Sequence, residues 1–171
     1  RALANYRTMG KRGVPLLISE YGAPLTPPDF KRVLDGYTKA EQKLGLEDYR
    51  LHKDFYDSLK AKFTAAGLRK AFGTADQFVA AVDADRAEDI RLILAAQRCN
   101  PTLVGTALCQ LADASGELFG ATDVWRNPKK VYQAVADSST VPLAAPEIAP
   151  RVQTPGDKAA VRLTLVNEDR L

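Results

Sequence analysis

Two short apolar runs have the pattern of strands in the interior of a parallel sheet. The first covers residues 14–19, within "RGVPLLISEYG", and the second covers residues 102–112, "TLVGTALCQLA". Continuous apolar runs of this length are typical of strands that helices cover on both faces. We therefore expect both runs to be buried strands of one parallel sheet.

Helical periodicity fills most of the remaining chain. Helices are predicted over residues 29–44, 47–66, 74–98 and 128–137. The third begins with the capping box Thr74-x-x-Gln77, and the fourth follows Asn127 as its N-cap. Residues 1–13 resemble the end of a helix that is already under way, so we expect the sequence to be a segment of a longer chain.

Strands that alternate with helices predict an α/β fold. Residues 26–73 form an unusually long connection between the first strand and the helix that begins at residue 74. Long connections in compact domains are often functional. This favours a barrel whose loops build a site, although an open doubly wound sheet remains an alternative.

The pattern changes after residue 137. Residues 138–159 are rich in Pro, Ala and Ser, as expected for a linker, and residues 160–168 alternate between apolar and polar positions. We predict that residues 160–171 begin a separate β domain.

Composition excludes several classes of function. With a net charge of +3 and interspersed acidic and basic residues, the chain lacks the dense basic face of a nucleic-acid groove. No apolar run reaches the length of a membrane helix, so neither nucleic acid nor membrane is an expected partner. Cys99 and Cys109 match no metal spacing, and the single histidine, His52, lies among charged neighbours and is expected to be solvated. GxSxG, P-loop and GxGxxG motifs are absent.

Glu20 directly follows the first apolar run. In a barrel, the carboxyl end of a strand is where reactive groups sit. A partly desolvated carboxylate there can act as a nucleophile, a general base or a metal ligand. Tyr21 can place a hydroxyl or ring beside it, and Gly22 lets the chain turn away sharply. The alternative is a surface carboxylate at a strand-to-loop corner.

Two blocks of sequence resemble glycoside hydrolase family 2, which includes β-galactosidases, β-glucuronidases and β-mannosidases. "PLLISEYGAP" is similar to the seventh-strand segment, and "NPTLVGTALCQLADASGELFGATDVWRNPKKVY" is similar to the eighth strand and its loop. The resemblance covers residues 1–137 and implies the C-terminal portion of a (β/α)₈ TIM barrel. By the same resemblance, residues 160–171 would start an immunoglobulin-like β-sandwich domain.

The resemblance implies a retaining β-glycosidase that needs no cofactor and no metal. Glu20 would be the nucleophile, and the family's acid/base is a Glu that follows an Asn at the end of the fourth strand. The one Asn-Glu pair here, Asn167-Glu168, falls in the appended domain. We therefore expect the acid/base to lie in the remainder of the same polypeptide, and the 171 residues alone to be inactive.

Tyr21, Gln110, Asp113 and Trp125 are the candidate contacts to a carbohydrate substrate. Asp113 could bind a sugar hydroxyl or cap the next turn, and Trp125 could be a sugar platform or pack against the last helix. Where the family commonly has an aromatic floor in the eighth strand, this chain has Leu108, Cys109 and Gln110. Cys109 is expected to be a small buried hydrophobic residue.

Glu117 and Asp123 are expected in turns or salt bridges, and Arg126 is expected to tie the loop back to a carboxylate. Two alternatives to the glycosidase stay open. One is a non-catalytic carbohydrate-binding or structural relative with a degenerate barrel site, which Cys109 favours. The other is a cellulase-like or mannanase-like barrel hydrolase, which would share Glu20 but not the second block.

Overall fold

The computed structural model describes residues 2–22, 25–150 and 152–168 of the 171-residue chain. Residues 23–24 of the first resembling block and residues 169–171 of the predicted β domain lie outside the described residues. The elements are α1 Ala2–Thr8, β1 Leu16–Tyr21, α2 Phe30–Asp35, α3 Lys39–Leu44, α4 Glu47–Ala65, α5 Arg69–Phe72, α6 Ala75–Arg98, β2 Leu103–Leu108, α7 Lys130–Ser138, β3 Leu143–Ala149 and β4 Ala160–Val166. None of the helices among the described residues has both the length and the apolarity to span a membrane.

The two predicted strands pair with each other in parallel, from Leu16 opposite Leu103 to Tyr21 opposite Leu108. Both therefore end at the same edge of the sheet. The first strand begins and ends two residues later than predicted. Pro15 has no backbone N–H, and the first backbone bond between the strands is donated by Leu16 to Thr102, at 2.8 Å.

Helices cover only one face of this sheet. Ile18 and Leu108 pack against a buried cluster that includes Ile90 and Leu94 of α6 together with Val131 and Ala134 of α7. Leu17 of β1 is 65% exposed and Val104 of β2 is 70% exposed. The prediction that both strands are buried on both faces is wrong for the described residues, because α6 and α7 pack against Ile18 and Leu108 and leave these two side chains open.

Two long connections lie beyond the strands. The α2–α5 segment, residues 25–73, contains helices α2 to α5 and connects β1 to α6. The β2–α7 loop, residues 109–129, connects β2 to α7. A second buried cluster joins them: Phe30, Val79 and Leu118 come from α2, α6 and the loop, respectively. The two connections therefore pack against each other beyond the ends of the strands.

Helix boundaries differ from the predictions at two places. The single helix predicted over residues 29–44 is divided into α2 and α3, because Thr38 and Glu41 form a capping box that starts a new helix. The capping box of Thr74 and Gln77 at the start of α6 is confirmed. The helix α7 begins after Lys129 rather than after Asn127, and the Lys130 N–H bonds to the Asp83 carboxylate.

Part of the predicted linker is a strand. β3 pairs antiparallel with β4, so the expectation of a linker over residues 138–159 is wrong for Leu143–Ala149. Alternating small apolar residues allow this segment to form a sheet despite its prolines. Arg98 of α6 holds the chain just before β3, because its guanidinium donates hydrogen bonds to the Ser138 and Thr140 carbonyls, at 2.6 and 2.8 Å.

Candidate functional site

Glu20 is the second-last residue of β1, and its side chain is exposed. Directly beside it, the Cys109 N–H donates to the Tyr21 carbonyl at 2.7 Å, so the chain leaving β2 stays against the end of β1. The expected position near the end of the second strand is therefore found. The expected partial desolvation of Glu20 is not found, because Glu20 is exposed in the described residues.

The Cys109 thiol is the polar partner of Glu20. A hydrogen bond to the Glu20 carboxylate is the main cause that raises the pKa of the thiol, followed by burial and by the Glu20 and Glu117 charges. A raised pKa keeps the thiol protonated at neutral pH, so it is a donor to the carboxylate. Cys109 is half-buried rather than enclosed, and the expectation of an inert buried hydrophobic residue is corrected.

Position 22 requires glycine because the backbone of Cys109 passes close to it. A Cβ at this position would lie 2.5 Å from the Cys109 carbonyl oxygen, closer than any real contact. Its role is thus to let the ends of the two strands meet, a steric reason that differs from the sharp turn expected from the sequence.

Tyr21 is buried, whereas its neighbour Glu20 is exposed. The strand is irregular between Ile18 and Tyr21, and Tyr21 is 6% exposed within the same cluster, formed with α6 and α7, that Ile18 packs against. Burial raises the pKa of its hydroxyl, and a hydrogen bond with Thr106 opposes the shift. The prediction of Tyr21 as a substrate contact is therefore wrong.

Gln110 is the second residue of the β2–α7 loop, and the far end of the loop returns to hydrogen-bond with its backbone. Its carbonyl accepts from the Ala121 N–H at 3.0 Å, and the Leu111 carbonyl accepts from Thr122 at 2.9 Å. The Gln110 side-chain amide is 3.5 Å from the Glu117 carbonyl, at the limit of a hydrogen bond. Gln110 is thus half-buried, two residues after the end of β2.

Asp113 is enclosed by protein. Its Oδ1 lies 2.7 Å from the Lys129 ammonium and accepts from the Gly120 N–H at 2.8 Å. Burial raises the pKa of Asp113, and the Lys129 charge and hydrogen bond oppose that shift. Its side chain has no exposed surface, so the prediction of a sugar contact is corrected. The alternative, a cap on the next turn, is not what the carboxylate does either, because it bonds across the loop to Gly120, seven residues further along the chain.

Trp125 is held by the α2–α5 segment. Its indole N–H donates to the Val33 carbonyl at 2.9 Å, and the Tyr37 ring meets it edge-on, 4.9 Å between centroids at 72°. A Cβ on Gly36 would lie 2.4 Å from the indole nitrogen. These contacts come from residues that follow β1, whereas the packing alternative expected the last helix. The side chain remains 41% exposed.

Asp123 organises the turn that carries Trp125. Its fully buried carboxylate accepts from the Trp125 and Asn127 N–H groups, each at 2.9 Å, and from the Asn127 amide. The guanidinium of Arg32 in α2 forms an ion pair with the same carboxylate, with 3.4 Å between Nη2 and Oδ2. The expected turn role of Asp123 is found, and the ion pair expected of Arg126 is made by Arg32. Glu117 is exposed, with its backbone bridged to Ala114.

His52 is the residue that sequence reasoning placed wrongly. It is fully buried, with Nδ1 2.8 Å from the Asp48 carbonyl and 3.2 Å from the Tyr37 hydroxyl. The signal for burial was present, because His52 stands at helical spacing from Phe55 and Leu59 on the apolar side of α4. His52 contacts Tyr37, and the Tyr37 ring packs against Trp125.

Within the described ranges, no group of three His, Cys, Asp or Glu side chains is arranged to hold a metal ion. No family model, curated protein or solved structure matches this chain.

Proposed function

We propose that this chain carries the nucleophile of a retaining β-glycosidase, and that Glu20 is that nucleophile. The observation that carries the proposal is an accessible carboxylate at the carboxyl end of β1, beside Cys109 at the end of the parallel β2. Each of the two sequence blocks that resemble glycoside hydrolase family 2 contains one of these strands, and both strands end at this same edge of the sheet.

The chemistry is a double displacement. The Glu20 carboxylate attacks the anomeric carbon, the bond to the leaving oxygen breaks, and a second carboxylic acid donates a proton to that oxygen. Water then attacks the anomeric carbon of the glycosyl-enzyme, the bond to Glu20 breaks and restores its carboxylate, and the second group accepts a proton from the water. Retention of configuration requires the two carboxyl groups to be about 5–5.5 Å apart. The second group belongs, in this proposal, to the remainder of the polypeptide.

The surroundings of Glu20 suit this role in two ways. The Cys109 thiol orients the carboxylate, since a protonated thiol donates a hydrogen bond without adding a competing charge. The loop that follows β2 is held by the buried carboxylates of Asp113 and Asp123, which accept hydrogen bonds from its own backbone. A rigid surround keeps a nucleophile near its productive geometry.

Covalent trapping tests the proposal directly. The complete polypeptide that contains this sequence is treated with 2-deoxy-2-fluoro β-glycosides of galactose, glucose and mannose, digested, and mapped by mass spectrometry. We expect the label on Glu20. A label on another residue, or turnover that survives Glu20→Gln, contradicts the proposal. Glu117→Gln is the matched control, because Glu117 is also an exposed glutamate beside the same strands.

Cys109 favours one other function, that of a carbohydrate-binding protein without catalysis. A thiol has no broad face on which a sugar ring can stack, so the floor of the site differs from the resembling family. Glu20→Gln separates the two cases by calorimetric titration and kinetics. A hydrolase loses turnover by orders of magnitude, whereas a binding protein never shows turnover and keeps its affinity.

The 171-residue chain alone is expected to be inactive, because a retaining site needs two acids and the chain supplies one in the proposed site. Hydrolysis of a 4-nitrophenyl β-glycoside by this chain, above the background of its Glu20→Gln variant, would show that the second acid lies within it.

A further inference from the structure

One face of the sheet formed by β3 and β4 carries only exposed apolar side chains. The two strands pair antiparallel, so residues that stand opposite each other lie on the same face. This face consists of the pairs Ala144 with Leu165, Pro146 with Leu163 and Ile148 with Val161. All six residues are exposed, and the three from β4 are 67–70% exposed. The open face of an antiparallel sheet is normally polar, so an apolar one indicates a surface that binds a partner.

The two outer edges of this sheet differ in how well they are protected. In the described part of the chain the sheet has two strands, and each is paired on one side only. β3 contains Pro146 and lies between Pro142 and Pro150, and a proline has no N–H to offer another strand. Prolines and charges are the usual protection of an exposed edge. β4, Ala160–Val166, has no proline and a single charge, on Arg162, so its edge is open to pairing.

The backbone groups on the open edge of β4 follow from its pairing with β3. Because Pro146 cannot donate, we expect its pair with Leu163 to be one that exchanges no backbone bonds across the sheet. The N–H and carbonyl of Leu163 then point to the open edge. Those of Val161 and Leu165 do the same, since the direction alternates along a strand. The open edge therefore presents donors and acceptors from the same residues whose apolar side chains are exposed.

The described helices meet this sheet at β3. Helices α1 and α6 line a cleft together with β3, and Nε of Arg7 in α1 lies 3.7 Å from Oε2 of Glu147 in β3. By contrast, residues 160–163 of β4 are exposed on both faces of the sheet. This part of β4 is thus accessible to another strand.

β4 is complementary to itself in one antiparallel register. When Leu163 stands opposite Leu163 of a second copy, the remaining pairs are Val161 with Leu165, Arg162 with Thr164 and Ala160 with Val166. Apolar residues then pair with apolar residues, the one charge stands opposite a hydroxyl, and no like charges meet. The outward N–H groups of each copy face the outward carbonyls of the other, which allows about six backbone hydrogen bonds.

We propose that β4 is a self-association edge, on which β4 of a second copy of this chain pairs antiparallel with Leu163 opposite Leu163. The two sheets then join into one sheet of four strands. A second copy suits this edge because main-chain hydrogen bonds require an extended strand and the exposed side chains require apolar neighbours. The proposal goes beyond the proposed function, since it involves β3 and β4 and does not depend on Glu20.

Analytical ultracentrifugation of the 171-residue chain tests self-association. We expect the mass to rise from 18.6 kDa toward twice that value as the concentration increases. Leu163→Pro deletes one hydrogen bond donated by each copy while sparing the bonds to β3, and should raise the dissociation constant at least about tenfold. Leu163→Thr keeps the N–H and should weaken association less. Ala144→Pro is the matched control, because it removes an N–H from the protected edge of β3 and should change nothing.

Disulfide cross-linking tests the register. In a background of Cys99→Ser and Cys109→Ser, Leu163→Cys places a thiol at the centre of the pairing. The two Cα atoms would be about 5.5 Å apart there, which a disulfide can span. Val161→Cys is the control, because position 161 stands opposite position 165 of the other copy rather than opposite itself. We expect mild oxidation to give a covalent dimer with Leu163→Cys and none with Val161→Cys. Equal cross-linking of the two variants, or of neither, overturns the proposed pairing.

A mass that stays at 18.6 kDa at every concentration, or association that a folded Leu163→Pro variant retains in full, also overturns the proposal. Circular dichroism establishes whether each variant is folded, and the cross-link decides the matter if Leu163→Pro is not. The cross-linking is repeated in the complete polypeptide that contains this sequence. A cross-link that forms in the 171-residue chain but not in the complete polypeptide would mean that another part of the polypeptide covers β4, and the proposal would fail.

Discussion

The Lys129 ammonium lies 2.7 Å from Oδ1 of Asp113, and the two side chains are 1% and 0% exposed. Lys129 also donates to the Thr26 carbonyl at 2.6 Å. The ion pair therefore joins the two ends of the β2–α7 loop, and the bond from Lys129 to Thr26 fastens this loop to the start of the α2–α5 segment, a few residues after Glu20. Burial lowers the pKa of Lys129, and the Asp113 charge opposes that shift.

Replacing one partner of this pair should be costly. We expect Lys129→Met to lower the free energy of unfolding by about 3–5 kcal/mol, because it leaves the Asp113 carboxylate buried without a cation. Urea unfolding of the 171-residue chain, followed by circular dichroism, measures the change. Lys130→Met is the control, since Lys130 is exposed and its change should stay within about 0.5 kcal/mol.

The double variant Asp113→Asn with Lys129→Met removes both charges. It should be more stable than Lys129→Met alone, because no isolated charge remains to be buried. A double variant whose loss equals the sum of the two single losses would show that the pair does not act as a unit.

Gly22→Ala should separate the ends of β1 and β2. The new Cβ would meet the backbone oxygen of Cys109 at 2.5 Å, and a backbone atom cannot move aside as a side chain can. We expect a loss of about 1–3 kcal/mol of stability, as for other overpacked sites, together with a fall in Glu20-dependent turnover of the complete polypeptide. Gly116→Ala, whose Cβ has no neighbour closer than 3.8 Å, should change neither quantity.

The sequence located Glu20 because a continuous apolar run and a following acid are local features. Parallel pairing of the two runs was also predictable, since helical periodicity fills the chain between them and a helical crossover joins parallel strands. The resemblance to glycoside hydrolase family 2 and the β-glycosidase that it implies remain proposals.

The predictions were wrong where tertiary contacts determine whether a side chain is buried. Which face of β1 receives Tyr21 depends on where α6 and α7 pack, and the run of apolar residues contains no alternation that would show it. The burial of Asp113 depends on Lys129, sixteen residues further along the chain. His52 was judged by its charged neighbours in sequence, whereas its helical spacing placed it against Tyr37.

Tyr56 should make stability depend on pH at the alkaline end. Burial, followed by a hydrogen bond of 2.8 Å to Asp76, raises the pKa of Tyr56 from 10.0 to about 12. The folded state thus holds the phenol proton more tightly than the unfolded state. Its stabilising contribution is present below pH 10 and is lost as the pH rises through about 12.

Unfolding by urea at several values between pH 9 and 12 checks this relation. Tyr56→Phe should show a shallower loss of stability over that interval than the wild-type chain, because it has no phenol proton to lose. Tyr132→Phe, at a tyrosine that is 46% exposed, is the matched control. Parallel curves for the wild type and Tyr56→Phe would rule out the contribution.

The contact between Cys109 and Glu20 can be read from the reactivity of the thiol. Only the thiolate reacts with iodoacetamide, and the hydrogen bond to Glu20 raises the pKa of Cys109. In a Cys99→Ser background, Glu20→Gln should therefore move the pH profile of alkylation to lower pH. Glu117→Gln should move it in the same direction by less, because Glu117 contributes only its charge and is the smallest of the causes. A profile that Glu20→Gln leaves in place would mean that the thiol does not contact the carboxylate, and the orientation assigned to the proposed nucleophile would be lost with it.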